Sequence, residues 1–466
     1  MATTSSFAHI NDKIQLFSFV PELTKGTPNW QFQAKAGGST TSTIIDTAAG
    51  AGRDDLNLAS MTTDFLNGLQ IYISTGTDAG EVVDITASAE SGGDVTLTHS
   101  ALTTGTSASD VFYVLGPITA SNISANPETE DLERDFARLT LDAPSGVKGL
   151  SKMSGSFEME MCGLVTTLGN GATPTYDRLS QFLTCVGTRR AAAGTDITGS
   201  GSTTTTLDVS VSAGFQEHDL ILVENQIRRV TSVVSGSPDQ LVLDYALSAA
   251  PATSAEVYQC EQFTPDDTDH RTHSFIWLID DRLIELRECV CSVKVGGEFG
   301  GKVMMPVEFD GMWDPSWGLS DAATLSGYQM DQDPIAFIAT GGIYFNTTDL
   351  NCNSFEFDLG HSRGELRDTG GNITFNVNGR VASCKVVMRD IDKTPKATWE
   401  NAGTKARMTM SAGNTAGDAC AFEGWAQVRE PIGSSPVNDT RYWDCTFRFF
   451  DDQDAASAIK PRICRF

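Results

Sequence analysis

Apolar and polar residues alternate over short runs through most of this chain, the period of a β-strand packed on one side. Residues 138–163 carry the clearest example. Two short strands joined by a Pro/Gly/Lys connection are predicted there. Along the second, Phe157, Met159 and Met161 fall on one face and Glu158 and Glu160 on the other. Such a strand is dry on one side and wet on the other. In residues 274–286 two apolar runs flank Asp280-Asp281, which predicts a hairpin. The run FIWLI within it has no polar face, so cover on both sides is predicted. Residues 292–313 read as two strands with a Gly-rich link, 343–359 and 372–388 as further strand regions, and 446–450 as the last strand before an acidic tail. One helix is predicted over 174–186. Pro174 suits its first turn, Tyr176, Leu179, Phe182 and Leu183 form an apolar stripe, and Gly187 is a stop signal.

The pattern also repeats. Residues 37–116 and 194–260 each open with a Thr/Ser-rich tract, GGSTTSTIID or GSGSTTTTLDV. Each continues with a short apolar strand (LQIYI or LILV), then EVVDITAS or RRVTSVVS, then VTLTHSAL or LVLDYAL, and closes with TSASDVFYVL or ATSAEVYQC. Strands at this spacing with Gly, Ser and Asp turns predict a small β-barrel or sandwich. Two copies are too few for a solenoid. The expectation is therefore an all-β protein: a core formed by residues 1–36, 117–193 and 261–466, with one helix, interrupted by two inserted β domains at 37–116 and 194–260.

Charge sharpens this division. The chain of 466 residues carries a formal net charge of −27. Residues 37–116 hold ten Asp and Glu against one Arg, and residues 194–259 hold eight against two. The inserts are thus the more acidic material, as solvated surface modules are. So acidic a surface argues against sequence-reading DNA binding and against anionic membranes. The first residues lack the basic and apolar regions of a signal peptide, and no apolar run has the length of a membrane span, so cytoplasmic synthesis without membrane insertion is expected. The ten cysteines are diluted over a long chain and are expected to be buried thiols. The one close pair, Cys289 and Cys291, lies on one face of one strand, which is poor disulfide geometry.

Catalytic chemistry has little support. The six His fall in no nucleophile-elbow or zinc-protease motif, and no zinc-ligand spacing of Cys occurs. Asp280/Asp281 and Asp451/Asp452 read as solvated turns. DDTDH at 266–270 lacks the glycine of a calcium loop, and GGEFGG at 296–301 lacks the Lys-Ser/Thr of a phosphate loop. Trp277, Trp313, Trp399, Trp425 and Trp443 are scattered. No enzyme activity and no cofactor are expected.

An ordered set of core features remains. An acidic loop at 125–136 precedes the LTL strand; SGSFEMEMCG leads to the helix ending FLTCVG; FIWLIDDRLIEL leads to GGEFGGKVMMPVEFDGMW; AGNTAGDACAFEGW follows at 412–425. In this order and spacing the core resembles the tail tube (major tail) proteins of long-tailed bacteriophages, while both inserts fall outside the resemblance. The resemblance implies a β-sandwich or barrel core with a flanking helix. It also implies stacked rings, commonly of six subunits, around a pore that passes double-stranded DNA without binding it specifically. Further implied are assembly in a host cytoplasm, residence in the virion, and contacts with tape measure, terminator and baseplate proteins. Glu158, Glu160 and Glu285 are the candidate lumen-facing carboxylates. Phe275, Trp277, Leu283 and Leu286 form the candidate inter-subunit hairpin, and the inserts are candidates for contact with a host surface. The alternative reading is a carbohydrate-binding virion or cell-surface adhesion protein with the inserts as binding modules.

Overall fold

The computed structural model describes residues 14–22, 31–34, 40, 43–47, 66–91, 94–108, 110–132, 147–164, 177–265, 271–279, 282–313, 336–337, 342–345, 348–367, 373–389, 398–400, 403–430, 432–437, 440–450 and 460–466. The fold is all-β with antiparallel sheets and very little helix. β1 (Ile14–Pro21) enters the core. β2 (Gln31–Gln33), β3 (Thr43–Thr47), β4 (Gln70–Ile73), β5 (Val82–Ser91), β6 (Asp94–His99) and β7 (Val111–Pro117) form a first module. The long strands β8 (Ala120–Leu132) and β9 (Val147–Glu160) precede α1 (Arg178–Leu183) and β10 (Thr188–Arg190). A second module follows, made of β11 (Gly194–Asp196), β12 (Thr206–Val209), β13 (Leu220–Val223), β14 (Gln226–Val234), β15 (Asp239–Leu243) and β16 (Glu256–Gln259). The chain returns through β17 (Glu261–Thr264), β18 (His273–Ile279), β19 (Arg282–Glu298), β20 (Gly301–Trp313), β21 (Ala336–Phe337), β22 (Gly342–Phe345), β23 (Thr348–Asp349) and β24 (Cys352–Asp358). It ends with the hairpin β25 (His361–Arg367) and β26 (Ile373–Arg380), then β27 (Ser383–Met388), β28 (Lys405–Thr415), β29 (Asp418–Val428), β30 (Gly433–Val437), β31 (Thr440–Phe449) and β32 (Arg462–Arg465).

The two modules share one topology. The first orders its strands β3-β6-β5-β4-β7-β2 and the second β12-β15-β14-β13-β16-β11. The match extends to single residues. Tyr72 faces Val82 and Tyr113, as Leu222 faces Ile227 and Tyr258. Each module bulges at the same place, between Ile85 and Ala87 or between Val230 and Ser232. The extra residue is Thr86 or Thr231, and each hydroxyl donates across the ladder, to Thr98 O (3.2 Å) or Val242 O (3.1 Å). The second module closes on itself through an Ile197–Val209 bridge, which leaves a small barrel without an open edge. Both modules hang on a two-stranded neck. β1 pairs with the end of β7, and β10 pairs with β17.

Their cores differ. Leu69, Ile71, Val83 and Leu97 of the first module belong to the main hydrophobic core with Phe19 and Phe157. The second has its own core of Leu207, Ile221, Val230, Leu241 and Val257. It meets the rest of the chain through Leu220, Leu222 and Cys260, packed on Ala419, Ala421, Cys464 and Phe466.

The central sheet runs β8-β9-β20-β19-β24-β27-β31-β30, with β19 also pairing β18, which continues to β1. Alternation decides its faces. Along β20, Val303, Met305, Val307 and Phe309 point into the core and Lys302, Met304, Pro306, Glu308 and Asp310 point out. Phe157 centres an aromatic cluster with Phe182 (6.0 Å between ring centres), Phe275 (5.8 Å) and Phe309 (6.2 Å). Gly155 is required beneath it, since a Cβ there would strike the Ser124 carbonyl and the Phe309 ring.

Several expectations are corrected here. The acidic stretch expected as a loop from residue 125 continues β8 to Leu132, because Glu128–Lys152 and its neighbours pair along β9. The helix is shorter than expected. Asp177 caps it by accepting from Ser180 N at 2.6 Å, and the chain leaves as turns after Leu183. The strand at 446–450 is not the last, because β32 follows and pairs with β17 and β29. FIWLI is covered on both faces as far as it is described, since Phe275, Ile276 and Trp277 are all buried. The Asp280-Asp281 turn, DDTDH at 266–270, Asp451/Asp452, Pro174 and residues 138–146 lie outside the described residues.

Candidate functional site

The outward face of β8, β9, β20 and β19 holds the residues singled out by alternation. Phe157, Met159 and Met161 are buried, while Glu158 and Glu160 are half-exposed on the opposite face. Glu158 accepts from Asn122 Nδ2 at 2.7 Å, and Glu160 is ion-paired to Lys302. Lys294 lies 3.5 Å from Glu308 and 3.8 Å from Asp358. Arg363, brought over the sheet by the β25–β26 hairpin, reaches Glu308 (3.0 Å) and Asp310 (3.2 Å). Lys152 lies between Glu128 (3.3 Å) and Glu365 (3.2 Å). This face is a ladder of mixed charge. Lys152 lies on β9 itself, while Lys302, Lys294 and Arg363 come from β20, β19 and β25, which the β9 pattern alone does not point to.

Glu285 is not an open carboxylate. It is 3% exposed, and Arg287 Nε donates to it at 2.7 Å. Three side chains of the candidate inter-subunit hairpin are described. Phe275 and Leu286 are fully buried and Trp277 is 2% exposed. Phe275 and Trp277 pack on Phe309 at 5.1 and 5.9 Å, so they are occupied within the subunit. The side chain of Leu283 lies outside the described residues.

Several strands have a single described partner, and in the central sheet β8 and β30 are among them. Among the described residues, β8 pairs only with β9 and β30 only with β31. Residues 120–126 of β8 offer a backbone edge, with a register shift between Ser121 and Ser124. Beside this face, Gly296, Gly297, Met304, Pro306, Phe355 and Val387 line an open groove of about 510 Å³. Phe299 stands exposed in the adjoining turn.

Sequence reasoning missed a buried ionic network behind the sheet. Arg465 is fully buried and donates to Asp177 (2.9 and 2.7 Å), Glu261 (3.1 Å), Ser180 Oγ (3.0 Å) and the Cys162 carbonyl (2.9 Å). Arg189 pairs with the same Glu261. Burial alone would raise the Asp177 carboxyl, but the charge and hydrogen bonds of Arg465 hold it at about 2. Burial likewise opposes ionisation of Glu423, yet Arg407 and Arg462 hold it at about 2. His273 is buried between Phe19, stacked at 5.3 Å, and Phe182, edge-on at 5.8 Å. That burial lowers it to about 4. The ten cysteines form no disulfide, nine being buried and Cys352 half-buried. Among the described residues no group of three His, Cys, Asp or Glu side chains could hold a metal ion. Among the described residues no helix is long and apolar enough to cross a membrane.

No protein-family model matches the chain, and no curated protein matches it.

Proposed function

We propose that this chain is a structural subunit of a bacteriophage tail tube, closing into rings that stack around a conduit for double-stranded DNA. One observation carries the reading. An antiparallel sheet, dry on one face and polar on the other, runs from β8 to β31, where it branches to β30 and to β29, and β8 and β30 each have one described partner. Open edges of this kind attract further strands. Joining edge β8 of one copy to edge β30 of the next is a heterologous contact, and such contacts close into rings when the rotation permits. The polar face then lines the lumen. Its mixed charge, Glu160 with Lys302 and Glu308 with Arg363, offers phosphates neither a basic trap nor a bare acidic wall. Tape measure, terminator and baseplate proteins are the expected neighbours, with the two modules outside the tube where a host surface is within reach.

Negative-stain electron microscopy of the purified chain tests this, with rings or tubes of uniform diameter expected. Lysines placed along the edge, as Ser124→Lys with Asn126→Lys, are expected to keep the circular dichroism spectrum and abolish rings. A particle that stays a small defined oligomer at every concentration would overturn the reading and favour an adhesion role. Rings formed equally well by the double variant would refute the β8 edge as the joint.

A further inference from the structure

The seam between the second module and β28, β29 and β32 carries more positive charge than it neutralises. Arg407 binds Asp244 and Glu423, and Arg462 binds Glu423 and Gln262. Arg229, the third guanidinium, forms no ion pair with a carboxylate among the described residues. Among the described residues its side chain hydrogen-bonds to Nδ1 of His218. Arg462 also donates to the His218 carbonyl, so His218 joins the two arginines. Glu217, on the far side of that ring, is 3.6 Å from Nε2 and largely exposed. Arg229 and Arg462 are 8% and 6% exposed, and the Nε–H of each lacks an acceptor among the described residues. Buried donors without acceptors are costly. Burial, then the charge of Arg407, lowers the Arg229 pKa, while Glu423 and Asp244 oppose the shift.

The other module gives an internal comparison. The residue matching His218 is Gly68, with nearly the same backbone angle (φ 79° against 78°), and the one matching Arg229 is Asp84, which is exposed. A left-handed angle costs glycine little and histidine more. The second module therefore holds a strained histidine and a buried arginine where the first has neither.

We propose that this seam is a binding site for a small oxyanion of the phosphate or sulfate class, held by Arg229 and Arg462 and entered beside the half-exposed Tyr245. The anion supplies the missing acceptors and balances three guanidiniums set against two carboxylates.

Thermal unfolding of the full chain near neutral pH tests it, with inorganic phosphate titrated at constant ionic strength against sodium chloride. A saturable rise of about 2–3 °C is expected at a roughly hundredfold excess over Kd. Arg229→Met is expected to remove the rise. His218→Gly, which suits the backbone angle as Gly68 does, is expected to fold and to reduce it; if Arg229→Met does not fold, this variant decides. No saturable rise in the wild-type chain, or a rise of equal size in the folded variants, overturns the proposal and leaves water as the acceptor.

Discussion

At the scale of residues, buried charge sets the acid response. The folded-state pKa of His273 is about 4 against 6.5, so only the unfolded state gains its proton between those values. Its contribution is present above pH 6.5 and is lost as pH falls toward 4, about 3 kcal/mol in all. Asp177 and Glu423, held at about 2, add a second loss at lower pH, through the unfolded carboxylate range and down to about 2. Urea unfolding at a series of pH values is expected to show both, and His273→Phe is expected to flatten the upper window alone. Arg465→Met leaves Asp177 buried without its cation and Glu261 with Arg189 alone, and a loss of about 3–5 kcal/mol is expected in the same measurement. None of these residues was legible in the sequence. Asp177 and Arg465 are separated by most of the chain, and burial of a charge is decided by the packing of α1 on β32, which no local pattern encodes. Glu158 and Glu160 were legible because alternation is a local property. Glu285 was misread because the cover over that part of its strand comes from elsewhere.

At the scale of elements, the two modules look alike in order and register yet depend on their surroundings differently. The second has its own core and is closed by the Ile197–Val209 bridge, whereas the first shares its core with β1 and β9. An excised fragment 194–260 is therefore expected to fold, with dispersed amide resonances, and fragment 37–116 is expected to remain unfolded. A folded 37–116 would contradict the shared core. The duplication itself was readable, since both copies keep the spacing of their short strands and turns. Which copy merges with the core was not, because Leu69 and Leu220 stand in similar local sequence. The continuation of β8 through acidic residues was hidden for a related reason. Glu and Asp are poor strand formers, and the pairing with β9 overrides that preference.

At the scale of the whole molecule, the net charge of −27 opposes association of identical copies. Assembly is therefore expected to strengthen with added salt, as repulsion is screened within about 8 Å at physiological ionic strength. Sedimentation at low and high sodium chloride measures this, and assembly that weakens with salt would point to joints made mainly by ion pairs. One further consequence lies in the pairing of β1 with β18. Glu22 accepts from Thr272 and Ser274, some 250 residues later in the chain. A ribosome adds that stretch in roughly 10–50 s, at 5–20 residues per second. For that interval β1, with Phe19 and Val20, has no partner from β18, and the newborn chain presents an unsatisfied sticky edge to chaperones and to its own siblings on the same message.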